Sequence, residues 1–346
     1  MSISTAQFMI LGVGAFALTG LLTWPVRALA IRLGAMDAPN LARKTQAEPV
    51  PYLGGVAIAL GITIITFAAV YFTDDPKVII ERGLTAIIPA LILGIVGLID
   101  DLRSLAPWPR LIIQTAVASL VALILVRNGT LGTAFGNSAV DTLVSIFWIV
   151  GITNSINFFD NLDGAASGAV AVAALGVFFI AFDRGQELIS SLTIVTAGAT
   201  IGFLIWNKSP AKIYMGDAGA LFLGVIISVA TIRVNPGIVP LWKSLFIPLM
   251  LLAVPILDTT VAVSSRIARG VSPLTGGKDH LSHRLIRSGF SKPLTAIMLW
   301  CASALFASLA IALYLFPDTL GTLVIAVFSL LWLMALILFL RTSPID

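Results

Sequence analysis

The chain has 346 residues, of which 58% are hydrophobic and only 11% charged, and its mean hydropathy is +1.02. A soluble domain carries about a quarter charged residues, so this composition excludes that class, and a transmembrane barrel is excluded because it would show short alternating segments. The net charge of +4, with a pI of about 9.4, would admit a nucleic-acid partner, but the distribution of the charges accounts for it otherwise.

Apolar runs of the length a helix needs to cross a bilayer recur from end to end. Buried backbone groups in lipid must bond within their own segment, so the runs predict helices. In chain order they lie near 6–33, 51–73, 84–99, 109–127, 140–157, 165–182, 189–206, 218–233, 239–265, 293–315 and 319–340. The first run has no basic stretch before Phe8 and no small-residue cleavage site, so it reads as a span and not as a removed signal. The run at 239–265 is long and carries Pro248 and Pro255, which predicts a kink or a break. Cys301 is the single cysteine, so no intrachain disulfide is expected; inside an apolar run it reads as a packing residue. No repeat or linker divides the chain. The expectation is an all-α polytopic membrane protein of ten to eleven spans, folded as one domain over 1–346.

The basic residues orient the spans. With the N-terminus outside, one side receives 15 of the 21 lysines and arginines, and by the positive-inside rule that side is the cytoplasm. The net charge is then a topology signal, and no nucleic acid is expected. Four polar segments fall on the same side, although none was used to choose the orientation. They are Asp100–Asp101, "TNSINFFDNLDG" (153–164), "NKSPAKIYMGDAGALFLG" (207–224) and "GGKDHLSHRLIRSG" (276–289). The opposite loops, such as "TDDPKVIIERG" and "FPDTLG", look like ordinary connectors.

Each segment carries chemistry. One aspartate at the end of a span marks the water boundary, but the adjacent pair Asp100 and Asp101 repel each other, which favours a cation between them. Asn154, Asn157, Asp160, Asn161 and Asp163 make a span polar along its last turns, and Asp160 and Asp163 share a face if that stretch is helical. An Asx-rich helix end before Gly164 explains part of the pattern without function. Lys208, Lys212 and Tyr214 precede Gly216-Asp217-Ala218-Gly219, where small residues open a helix whose N-terminus favours phosphate, and Asp217 stands beside it to hold a metal. His280 and His283 are the only histidines, too few for zinc without further ligands, and with Arg284 and Arg287 they suit an anion, although a plain positive-inside loop reads alike. Acids alone would suit a cation channel. Acids and bases together suit Mg²⁺ with phosphates, since Mg²⁺ takes one or two carboxylates plus phosphate oxygens. A transporter is the rival class; it would place ionisable groups through the bilayer midplane.

In this order, these segments resemble the polyprenyl-phosphate N-acetylhexosamine-1-phosphate transferases of bacterial envelope synthesis, of glycosyltransferase family 4. The likeness covers roughly 24–290 and includes a first cytoplasmic loop, "GAMDAPNLARKTQAEPVPYLGG" (34–55), with Arg43 and Lys44. The loop "HLSHRL" is closer to the branch that uses UDP-N-acetylglucosamine, in lipopolysaccharide, teichoic acid or arabinogalactan synthesis, than to the muramoyl-pentapeptide branch with its consecutive histidines. Ser282, Asn161, Gln46 and Trp108 depart from common family residues.

The resemblance implies Mg²⁺-dependent transfer of a sugar phosphate from a UDP-N-acetylhexosamine to undecaprenyl or decaprenyl phosphate, with release of UMP, at the bacterial inner membrane. Mn²⁺ is the alternative ion, and a homodimer is implied by analogy. Asp217, with Asp101 in support, would hold the metal, and Asp100 would act as base or positioning group. Asp160, Asp163 and Asn161 would shape the nucleotide pocket, with Asn207 assisting and Tyr214 stacking on uracil, and Asn154 and Asn157 would bind substrate. Arg43, Lys44, His280, His283 and Arg284 would hold the diphosphate and sugar.

Overall fold

The segment "GDAGALFLGVIISVATIR" has no charged residue between Asp217 and Arg233, and it is apolar all round. Such a helix is buried on every side. In the computed structural model it forms α8 (Gly216–Arg233), the most enclosed of the spanning helices. The structure describes residues 3–37, 48–69 and 76–342, apart from the side chains of 76–82. Around α8 stand α2 (Gly54–Ala68), α3 (Pro76–Arg103), α5 (Ser138–Phe159), α6 (Ala165–Asp183) and α7 (Glu187–Asn207). Outside them lie α1 (Thr5–Arg32), packed on α7, and α4 (Pro107–Arg127), packed on α5.

Close approach to α8 is made possible by glycine. A Cβ on Gly97 would lie 2.3 Å from the Asp217 carbonyl oxygen, and one on Gly55 would lie 2.1 Å from the Gly219 nitrogen. No side chain fits at such distances, so backbone meets backbone at the end of α8 that carries Asp217. A two-stranded hairpin, β1 (Met36–Asp37) with β2 (Val50–Pro51), sits at this end.

The C-terminal part begins with α9 (Leu241–Leu251) and α10 (Ala253–Ala268), which meet at a 76° bend. Pro255 has no N–H for the Leu251 carbonyl, and its ring crowds that carbonyl, so the expected break falls at Leu252. The indole of Trp332 donates to the Ala253 carbonyl at 3.1 Å beside the bend. A short helix, α11 (Leu281–Arg287), follows, and then α12 (Lys292–Leu315) and α13 (Gly321–Arg341).

Among the described residues, nine helices are long and apolar enough to cross a membrane, and ten if the bent pair is counted as one span. This is the all-α polytopic architecture expected. Three expectations change. The span foreseen at 84–99 continues to Arg103, which places Asp100 and Asp101 within its last turns. The span foreseen at 51–73 starts only at Gly54, after β2. Cys301 lies exposed on the outside of α12 and is no packing residue.

The glycine contacts predict a measurable asymmetry. Gly97→Ala should lower the unfolding temperature in detergent, with an overpacking cost of about 1–3 kcal/mol. Gly151→Ala, whose added Cβ meets nothing within 4 Å, should cause no loss. Equal melting of the two variants would contradict the close packing of α3 on α8.

Candidate active site at the charged end of the bundle

A helix begins with backbone N–H groups that have no partner inside it. Met215, at the N-cap of α8, has no side-chain oxygen to offer them. Asp101 supplies it from α3: one carboxylate oxygen accepts from the Asp217 N–H at 2.9 Å and the other from the Ala218 N–H at 3.1 Å. Gly216 has φ +69°, and a Cβ there would lie 2.6 Å from the Asp101 carboxylate, so the cap requires glycine.

The capped turn presents Asp217. Its Oδ1 accepts from the Asn157 amide at 2.7 Å, and its Oδ2 from Arg110 Nη1 at 2.7 Å. The same nitrogen bonds Oδ2 of Asp100, whose Oδ1 accepts from the Leu105 N–H. Arg110 therefore joins two carboxylates. The sequence reading counted Arg110 only as a topology charge; the available signal was its place at the start of a span, just beyond the aspartate pair. Asp217 remains 32% exposed and Arg110 18%.

The stretch from Asn154 to Asp163 fans out from Asp217. Helix α5 ends at Phe159, so Asp160 and Asp163 lie in a turn and do not share a helical face. Burial, and after it the charges of Asp217, Asp101 and Asp163, hold the Asp160 carboxyl up at about 8. Burial thus favours the protonated form of Asp160 around neutral pH. Asp163 accepts from the Ala211 N–H at 3.1 Å and stands beside the Tyr214 hydroxyl, which burial and then Asp163 push above its ordinary range. The Tyr214 backbone bonds Pro51 and Gly54, each at 2.9 Å, which ties this loop to β2 and α2.

Asn154 turns toward α4, donating to Gln114 at 2.6 Å. Asn161 takes a bond from the Ser282 hydroxyl and reaches Asp258 at 3.5 Å. Asn207 was expected in the nucleotide pocket, but it is 1% exposed. Its amide donates to the Ile213 carbonyl, and its oxygen accepts from the Gly164 N–H and the Ser167 hydroxyl, so it holds the loop from inside.

The histidine segment is anchored by Asp258, which is fully buried and accepts from the Leu281 N–H while pairing with His280 Nδ1, both at 2.7 Å. The other nitrogen of His280 lies 3.1 Å from Arg266. Arg266 and Arg269 both grip Asp279. Burial works against the Asp279 charge, but Arg266 outweighs it and keeps the carboxyl below its ordinary range. Arg284, expected to hold diphosphate, is 2% exposed, and its guanidinium is spent on Asp279, Ser265, Phe339 and Thr342. It fastens α11 to the end of α13 instead. His283 is half-buried, and burial followed by the charge of His280 pushes it down to about 4, so it is neutral. Arg43 and Lys44 lie outside the described residues.

Among the described residues, no three Asp, Glu, His or Cys side chains enclose a cation site. The donor set still fits an ion that takes one or two carboxylates and completes its shell with phosphate oxygens and water. Asp217 and Asp100, which share one Arg110 nitrogen, are such a pair, whereas both Asp101 oxygens already serve the α8 backbone. The acids and bases crowd one end of the bundle. At the other end Asp141, Gln186 and Lys243 hold loop backbone.

Residues 84–235 match glycosyl transferase family 4. The chain is 33% identical over 302 residues to the probable undecaprenyl-phosphate N-acetylglucosaminyl 1-phosphate transferase of Bacillus subtilis, covering 86% of this chain and 82% of that protein. It is 30% identical over 361 residues to the decaprenyl-phosphate N-acetylglucosaminephosphotransferase of Mycobacterium tuberculosis, covering 92% and 87%. It is also 32% identical over 202 residues to the phospho-N-acetylmuramoyl-pentapeptide-transferase of Streptococcus thermophilus, covering 54% and 59%.

The raised Asp160 carboxyl predicts a pH effect. The folded state keeps its proton up to about 8. The unfolded chain loses it near pH 4. Stability from this group is therefore present below pH 4 and lost as pH rises through about 8. In chelator, Asp160→Asn should melt progressively higher than the parent chain as pH goes from 5 to 9. A difference that stays constant over that range would contradict the assignment.

Proposed function

The chain belongs to glycosyl transferase family 4, and from that premise we propose that it transfers N-acetylglucosamine 1-phosphate from UDP-N-acetylglucosamine to a polyprenyl phosphate, releasing UMP. The observation that carries this reading is the Asp100–Arg110–Asp217 bridge, set on the Asp101-capped turn of α8 and flanked by Asn157. The long relatives named for N-acetylglucosamine phosphate transfer support the choice of sugar, while the pentapeptide transferase aligns over about half of the chain. The charged end of the bundle is then the cytoplasmic face of the bacterial inner membrane, where the UDP-sugar is available, and the lipid substrate enters sideways from the bilayer.

An oxygen of the lipid phosphate bonds to the β-phosphorus of the UDP-sugar. The bond from that phosphorus to the bridging oxygen breaks, and its electron pair leaves with UMP. A phosphate monoester has its second pKa near 6, so at neutral pH it attacks as the dianion and needs no base. Asp100, with its oxygens engaged by Leu105 and Arg110, is accordingly a positioning group. When bound, Mg²⁺ would neutralise charge on the diphosphate, with Asp217 and Asp100 as its protein ligands.

The side chains supply placement and fixed charge, which is what phosphoryl transfer needs. Arg110 carries positive charge to the oxygens where negative charge develops. Asp160, in its protonated form, donates a hydrogen bond to the nucleotide. Tyr214, steadied by Asp163, faces uracil. His280, held in place by Asp258, and neutral His283 line the sugar side.

Purified protein in detergent should release UMP from UDP-N-acetylglucosamine only when undecaprenyl phosphate and Mg²⁺ are both present. Asp217→Asn should lower that rate by about 100-fold or more, the scale of losing a transition-state electrostatic contact. Folded protein that releases no UMP from any UDP-N-acetylhexosamine would overturn the proposal.

A further inference from the structure

Arg110 occupies an unusual position for an arginine. A guanidinium often meets a carboxylate through two parallel N–H bonds. Here a single nitrogen, Nη1, serves two carboxylates from two helices, Asp100 of α3 and Asp217 of α8. That is the placement of a monatomic cation, with one oxygen from each acid. The side chain stands in the first turn of α4 and is partly open to water, as is Asp217.

We propose that Arg110 is the resident counterion of the Asp100–Asp217 pair, that it gives way when a divalent cation binds there, and that its release couples metal binding to diphosphate binding. This rests on the reading that the pair carries the metal. The electrostatics set the direction. Without a cation, carboxylates this close repel one another, and Arg110 offsets that repulsion. A divalent ion between the same oxygens makes the guanidinium redundant and repels it. Arg110 then stands next to the site with its charge unanswered, and the anion that answers it is the substrate diphosphate. Arg110 thus weakens metal binding to the empty protein and strengthens it once the nucleotide is present. Coupling of this kind is reciprocal between the two ligands.

The test uses Mn²⁺ as the metal and UDP as the nucleotide, on the full chain in detergent, followed by the loss of the free Mn²⁺ EPR signal. R110Q should bind Mn²⁺ about tenfold more tightly than the parent chain without UDP, a factor typical of site coupling. UDP should tighten Mn²⁺ binding in the parent chain and do so much less in R110Q. In chelator, R110Q should melt below the parent chain, and the melting difference should close on adding Mn²⁺. R110M, which keeps length without charge, serves as a second variant should R110Q fail to fold. Unchanged or weaker Mn²⁺ binding in the folded variants would overturn the exchange while leaving the transferase reading intact. A parent chain that binds no Mn²⁺, with or without UDP, would overturn the metal assignment itself.

Discussion

The candidate site depends on one carboxylate that serves as a helix cap. Asp101 reaches from α3 to the first turn of α8, and both of its oxygens are taken by backbone N–H groups there. This answers a need created by the sequence, since α8 starts at glycine and has no cap of its own. It also fixes where Asp217 points. The glycines at 55, 97 and 216 belong to the same arrangement, because any side chain there would hold the helices or the cap apart. An adjacent pair of aspartates thereby acquires two roles: Asp101 builds the platform, and Asp100 faces what stands on it.

The histidine side is organised by a second and separate constraint. Asp258, on the tilted helix beyond the proline break, holds both His280 and the start of α11. Arg266 and Asp279 form a buried ion pair beneath it, which the more exposed Arg269 joins from outside. Breaking such a pair by removing one partner typically costs about 3–5 kcal/mol. Helix α13 braces the arm at two points, through Trp332 at the bend and through the Arg284 contacts to Phe339 and Thr342. The last helices thus set the position of a loop beside the candidate site, joined to the aspartate side through Ser282 and Asn161.

The spanning helices were legible in the sequence because hydrophobic length is a property of a segment by itself. The break in the long run was legible because proline acts on its own turn. The convergence of the polar segments was legible from charge asymmetry. What could not be read was burial. Asn207 and Arg284 look like ligand-binding residues from their neighbours in sequence, and only packing from elsewhere in the chain turns them inward. Asp160 and Asp163 could share a face only if the helix ran on past its Asx-rich end, and α5 stops at Phe159, close to the end near 157 that the apolar run marks. Arg110 was concealed by its place: a basic residue at the end of a span reads as a topology charge, so its bridge to two aspartates left no separate trace.

The central claim is that the Asp101-capped turn of α8 holds a metal against the diphosphate of a nucleotide. Pulsed electron–nuclear double resonance on Mn²⁺ with bound UDP reads that contact directly. The account predicts phosphorus hyperfine coupling in the parent chain and its loss in Asp217→Asn at equal UDP occupancy. Full coupling in Asp217→Asn, or none in the parent chain with both ligands bound, would contradict it.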